Sequence, residues 1–190
     1  MIKPFYTVYP ITLSYEVGKV DDRADTGGRT CDGVTQKRLD KFCKDFGFEK
    51  YDVFNLRPEH REKIYEQYWD RAKCSKMPAK LGMAHFDCAF HSGVRQAGKI
   101  LQRSIGMKGD SVDGIIGSFT LNRLNAVVES EGDPSLKQLM ERAKFLAEVI
   151  LTRYIKFYKK TPEEYQARQY SLRFARGWFG RLIKLARVTA

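Results

Sequence analysis

The chain has 190 residues, 43% hydrophobic and 13% aromatic, and a formal net charge of +11. This size and apolar content exclude an intrinsically disordered chain and fit one domain or two small ones with a real core. No apolar run approaches the roughly eighteen residues of a membrane-spanning helix, and the N-terminus lacks the apolar stretch and small-residue cleavage site of a secretory signal.

The first predicted element is a short buried helix over Phe5–Tyr15, with Pro10 near its start. It leads into Glu16. From Tyr15 to Thr35 the chain turns glycine-rich and acidic: Gly18, Gly27, Gly28 and Gly33 alternate with Glu16, Asp21, Asp22, Asp25 and Asp32. That composition suits a reversing loop or small hairpin better than a helix. A helix end followed by a hairpin can aim Glu16 and Asp25 into one cleft. Two carboxylates across a cleft are the minimum equipment for cleaving a glycosidic bond, one protonated to give up a proton and one ionised. The competing reading is a set of solvated loop acids.

Thr35 is a natural N-cap for a helix carrying Leu39, Phe42, Cys43 and Phe46, which Gly47 ends. Phe48–Asn55 reads as a packed aromatic linker. Pro58 opens the next helix, with Ile64, Tyr65, Tyr68, Trp69 and Ala72 on one face. Met77-Pro78 marks a break. Leu81, Ala84, Cys88 and Ala89 then form an amphipathic face. In the loop Gly109–Thr120, Asp113 can accept from backbone N–H groups ahead of it, Gly114 and Gly117 are placed for conformations closed to other residues, and Ser118 caps a following helix. Asp133-Pro134 starts a long helix with Leu136, Leu139, Met140, Ala143, Leu146, Ile150, Tyr154 and Phe157 inward. Thr161–Glu164 reads as the capping box of a last helix, in which Trp178 and Phe179 are core anchors and Arg173, Arg176, Arg181, Lys184 and Arg187 are exposed.

Cys31, Cys43, Cys74 and Cys88 form no Cys-x-x-Cys pair and read as reduced thiols, Cys43 and Cys88 on apolar helix faces. His60, His85 and His91 show no metal-ligand spacing, so neither metal nor cofactor is expected. From Pro134 onward there are 13 Lys and Arg against 4 Asp and Glu, nine of the eleven net positive charges. Such a surface seeks a polyanion. Nucleic acid is not the expected one, because no DNA- or RNA-reading motif is present and the glycine loop carries acids where phosphates would come.

Glu16-x-Gly, Asp25-Thr-Gly-Gly-x-Thr30 and Gly33-Val-Thr35 together resemble the N-terminal signature of glycoside hydrolase family 108. These are N-acetylmuramidases, mostly phage endolysins, whose pattern reads roughly Glu-Gly-Gly-Tyr…Asp-x-Gly-Gly-x-Thr-Asn-x-Gly-Ile-Thr. Val17, Lys19 and Cys31 depart from the preferred Gly, Tyr and Asn. The cluster Ile64–Asp70 resembles the family's Tyr-Trp-Asp helix. Phe86–Gly93, with His91 in place of Asn, and the loop around Asp113 resemble the peptidoglycan-binding-like half that accompanies these catalytic modules. The spacing of Glu16, Asp25 and Thr30 also resembles phage-type lysozymes, with eight residues between the acids and four more before the hydroxyl.

The resemblance implies a mainly α, compact lysozyme-like fold of about eight helices, with a small β-hairpin or loop at the active site. It implies a muramidase catalytic region over 1–78 and a helical peptidoglycan-binding-like region over 79–190. The implied catalytic residues are Glu16 as general acid, desolvated beside Tyr15 and Val17, Asp25 as its ionised partner, and Thr30 orienting a water. Tyr68, Trp69 and His91 are candidate substrate contacts. The expected partner is peptidoglycan, with an anionic outer-membrane surface as a second partner for the basic C-terminal helices, and the expected state is a monomer. The expected setting is the cytoplasm of an infected Gram-negative host, then its periplasm. The alternative is a catalytically inactive wall-binding or virion structural protein on the same scaffold.

Overall fold

The computed structural model describes residues 3–21, 28–157 and 175–189. Among the described residues the chain is mainly helical, with one small antiparallel sheet, and it divides into two compact units, Met1–Arg71 and Ala72–Ala190. Among the described residues no helix is long and apolar enough to cross a membrane.

The first unit holds α1 (Pro4–Ser14), the strands β1 (Lys19–Val20), β2 (Thr30–Cys31) and β3 (Val34–Thr35), then α2 (Gln36–Phe46) and α3 (Pro58–Arg71). Pro4, not Pro10, opens α1. Proline costs nothing at a helix start, where its missing N–H would be unbonded in any case. Pro10 lies inside the helix, which forgoes one backbone bond there. The ends of α2 are as the sequence predicts: the Thr35 hydroxyl accepts from the Arg38 N–H at 3.2 Å, and Gly47 closes the helix with φ of 72°. Phe5 and Val8 of α1, Leu39 and Phe42 of α2, and Ile64 and Tyr65 of α3 are buried. Each such side chain stabilises by about 1.5–3 kcal/mol relative to exposure.

The second unit holds α4 (Ala79–Ser92), α5 (Val94–Ser104), α6 (Ser118–Glu131), α7 (Ser135–Phe157) and α8 (Ala175–Thr189). Helix α4 is buried on every side from Leu81 to Ala89, not amphipathic as predicted, and α5, α7 and α8 pack around it. Leu81, Leu101, Ile105 and Leu124 lie at the centre of one core cluster. All four cysteines are free and buried.

The turn around Asp113 is built onto α5. The Gln102 amide donates to Asp113 Oδ1, the Ile115 carbonyl and Thr120 Oγ1 at 2.8–3.2 Å, and its oxygen accepts from the Gly114 N–H at 2.8 Å. Asp113 also accepts from the Ile115 N–H at 2.8 Å, as its position in the loop predicts. Gly117 has an ordinary φ of −98° and is itself the N-cap of α6, so Ser118 is inside the helix and caps nothing. Gly98 lets the loop touch α5: a Cβ there would stand 2.4 Å from the Gly114 carbonyl oxygen. Gly98→Ala is therefore expected to destabilise the second unit by about 1–3 kcal/mol, measured by denaturant unfolding.

Asp133 Oδ1 accepts from the Ser135 N–H at 2.8 Å, so the predicted start of α7 holds. The predicted inward face holds only in part: Leu139 and Leu146 are buried. Leu136 and Met140 are 49% and 63% exposed, and the buried positions include Gln138 and Arg142. The reason is Asp87, fully buried on α4. Its carboxylate accepts from Arg142 Nη1 at 2.6 Å and from Arg181 Nε at 2.8–2.9 Å. Arg181 is thus buried rather than exposed, and Phe179 is partly exposed rather than a core anchor. The predicted capping box Thr161–Glu164, Arg173 and the side chains of Tyr154, Phe157 and Arg176 lie outside the described residues.

These buried groups set an acid limit. Burial drives the His85 pKa down to about 3; burial and the charges of Arg142 and Arg181 do the same for His91. Both rings are neutral in the folded chain but take up a proton below about 6.5 when unfolded. Their contribution is therefore complete above pH ~6.5 and is lost as pH falls toward 3. Burial alone would raise Asp87, but Arg181 and Arg142 outweigh it and hold the carboxyl far below the usual range. Its contribution fades below about pH 4, in the same direction. Thermal scans should show Tm falling steadily from pH 7 to pH 4, the helical signal of the second unit going first.

Candidate active site

The approach to the site is set by the end of α1. Tyr15 closes the helix, and the Glu16 N–H still donates to the Leu13 carbonyl at 2.8 Å. Glu16 therefore leaves a helix terminus on fixed backbone, with its side chain half-buried. Its sequence neighbours Tyr15 and Val17 are both exposed.

Gly18, with φ of 132°, turns the chain into β1. Lys19 pairs with Cys31 and Val20 with Thr30, and β2 returns along β3 with Cys31 opposite Val34. The β2–β3 connection is a two-residue turn, Asp32-Gly33, with φ of 49° and 74°. Positive φ at both positions is the requirement of the tightest hairpin turn, and Asp-Gly meets it.

Asp32 is also the anchor of this sheet. Its carboxylate accepts from the Gly18 N–H at 3.1 Å and from Arg61 Nη1, and its carbonyl accepts from the Tyr65 hydroxyl at 2.8 Å. Arg61 donates in turn to the Tyr9 hydroxyl at 3.2 Å. One loop residue thus ties the hairpin to α3 and, through Arg61, to α1. The sequence reading passed over Asp32 as one acid among five, yet Asp-Gly between two apolar-polar pairs is a strong hairpin signal.

At the other end of β2, Arg29 sits over Phe54, with Cζ 4.0 Å from the ring centre. Its Nη2 donates to both oxygens of Asp52, at 2.8 and 3.0 Å, and its Nη1 lies 3.4 Å from Asp21. Asp52 accepts from the Phe54 N–H as well. That bond first, and the Arg29 charge beside it, hold the Asp52 carboxyl below its usual range. The Thr30 hydroxyl donates to the Gly28 carbonyl at 3.0 Å. Asp25, the expected second carboxylate, falls outside the described residues, in the segment between Asp21 and Gly28.

Residues 9–93, which span Glu16, the three strands and α2–α4, match the family profile described as Glycosyl hydrolase 108. Over these residues, just under half of the chain, it is similar to glycosyl hydrolase family 108. Eleven solved chains match in structure. One, the structure of Brucella abortus SagA, is 26% identical with a TM-score of 0.68, covering 97% of this chain and 92% of that chain. No curated protein matches.

Within the family 108 segment, the other predicted contacts are placed as follows. Tyr68 is half-buried between two guanidinium groups, with Arg38 and Arg71 centred 5.4 and 5.8 Å from its ring. Arg38 also donates to Gln67, and burial lowers the Arg38 pKa. Trp69 is 8% exposed and meets the ring of Phe5 edge-on at 5.9 Å, the packing of a core anchor. His91 belongs to the second unit, at the last turn of α4, where its ring meets Trp178 at 5.7 Å. Tyr68 thus shares a unit with Glu16 and Thr30, whereas His91 does not.

Proposed function

We propose that this chain is a muramidase, cutting the β-1,4 bond between N-acetylmuramic acid and N-acetylglucosamine in peptidoglycan. The observation that carries the reading is the family 108 match across residues 9–93, because that segment contains Glu16 at a fixed helix end, followed by the hairpin that bears Thr30. Glu16 gives its proton to the leaving oxygen. Asp25 stays ionised and serves as base for a water, as nucleophile or as charge partner, and Thr30 orients that water. The separation of the two carboxyl groups would decide between inversion and retention.

In this reading residues 1–78 form the catalytic region, and residues 79–190 form a peptidoglycan-binding-like helical region. Tyr68, Trp69 and His91 are the candidate sugar contacts; Tyr68 and His91 are partly exposed and Trp69 is buried. The biological role proposed is that of a phage endolysin, a monomer acting in the periplasm of a Gram-negative host, with the basic C-terminal helices meeting the anionic outer membrane. The binding-only alternative remains the contrasting outcome. Digestion of purified peptidoglycan followed by mass spectrometry should yield muropeptides ending in reducing N-acetylmuramic acid. Anhydro ends would reassign the chain to lytic transglycosylation, and intact sacculi that carry bound protein would favour the alternative.

A further inference from the structure

Glu16 stands between two pinned stretches of backbone. Upstream, its own N–H donates to the Leu13 carbonyl at 2.8 Å, at the end of α1. Downstream, Gly18 is held by both of its polar groups. Its N–H donates to Asp32 Oδ1 at 3.1 Å, and its carbonyl accepts from the Asp32 N–H at 2.9 Å. Only Val17 separates Glu16 from this second pin. Gly18, at φ of 132°, has a backbone that adds no stiffness of its own, so these bonds set the direction in which the chain leaves Glu16.

Asp32 is held in turn by α3. Its Oδ2 accepts from Arg61 Nη1, and its carbonyl accepts from the Tyr65 hydroxyl at 2.8 Å. Arg61 uses a second edge on α1, where Nε donates to the Tyr9 hydroxyl at 3.2 Å. The Tyr9 ring is itself packed, stacked on Phe5 at 5.4 Å and edge-on to Tyr65 at 5.0 Å. The contacts close a circuit. It runs from α1 through Glu16 to Gly18, across to Asp32, through Arg61, and back to α1 at Tyr9. The side chains of Arg61 and Asp32 are only 22% and 15% exposed, so water screens the pair less than it would a surface pair. Guanidinium suits the role, being planar, permanently charged and able to donate along two edges.

We propose that the Asp32–Arg61 bridge is a positioning device for Glu16: it fixes where that residue's backbone stands and acts on the reaction through it. This rests on the muramidase reading above, in which Glu16 is the acid. Asp32 and Arg61 meet neither substrate nor the reacting atoms. A misplacement of about 1 Å can cost on the order of a hundredfold in rate.

The test is muropeptide release from purified peptidoglycan, with kcat and KM measured where circular dichroism shows each variant folded. Asp32→Asn keeps the turn, which Asn-Gly suits as well as Asp-Gly, and keeps an acceptor for the Gly18 N–H. What it removes is the charge that Arg61 binds. It should lower kcat on the order of tenfold to a hundredfold with KM nearly unchanged. Tyr9→Phe keeps the ring packing and removes the hydroxyl at the α1 end, so kcat should fall in the same direction. The double variant should be no slower than Asp32→Asn alone, because both changes act through Arg61. In a Glu16→Gln background, Asp32→Asn should cost less than about twofold more, since no proton donor is left to position. Wild-type kcat in folded Asp32→Asn, or an equal fold-loss with and without the Glu16 carboxyl, overturns the bridge and leaves the muramidase reading intact. Should Asp32→Asn fail to fold, wild-type kcat in Tyr9→Phe overturns it instead. A wild-type chain that releases no muropeptides sinks that reading, and the positioning role with it.

Discussion

Asp87→Asn should destabilise the second unit by about 3–5 kcal/mol, the largest stability effect expected of a single near-isosteric change in this chain. The carboxylate is fully buried, and its two partners Arg142 and Arg181 are only 1% and 3% exposed. Removing its charge leaves two buried guanidinium groups without the carboxylate that both of them bond. A surface pair provides the contrast. Lys137 and Glu131 also meet, but both are about half exposed. Lys137→Ala should cost less than about 1 kcal/mol, because water screens the pair in either state. Denaturant unfolding followed by circular dichroism compares the two variants. An Asp87→Asn chain within about 0.5 kcal/mol of wild type would mean that the two arginines find other partners, against the geometry of α4, α7 and α8.

This triad also shows where the sequence stops being legible. Asp87 lies 55 residues from Arg142 and 94 from Arg181. Hydrophobic periodicity contains nothing about such pairings, so it placed Leu139 and Leu146 correctly on the inner face of α7 but added Leu136 and Met140 to it, and it set Arg181 outside. Local signals did better. Thr35 and Gly47 bound α2 because their roles depend only on neighbouring backbone, and Pro58 opens α3 for the same reason. Asp113 likewise meets the N–H two residues ahead. Pro10 and Gly117 failed as local signals because tertiary packing tolerates a mid-helix proline, and a glycine need not use its freedom.

For the site, the motif from Glu16 to Thr35 was readable as a loop and hairpin, and the family it resembles is the one its profile matches. What could not be read was the framework. Arg61 and Tyr65 reach Asp32 from 29 and 33 residues away, and Asp52 reaches Arg29 from 23. These contacts hold the small sheet, and no spacing rule announces them. The sugar contacts were also chosen by residue type alone: Trp69, the most obvious stacking residue, is committed to Phe5.

The second large effect concerns Glu16. An amide in its place keeps size and polarity but has no proton to donate to the leaving oxygen. General acid–base groups contribute on the order of 10²–10⁴-fold. Because the amide is nearly isosteric with the carboxyl, the substitution should leave Tm close to wild type. The measurement is release of soluble muropeptides from purified sacculi by wild type and Glu16→Gln at equal folded concentration. The account predicts steady release by wild type and a drop of two to four orders of magnitude in the variant. A folded Glu16→Gln protein that digests sacculi at the wild-type rate would contradict it.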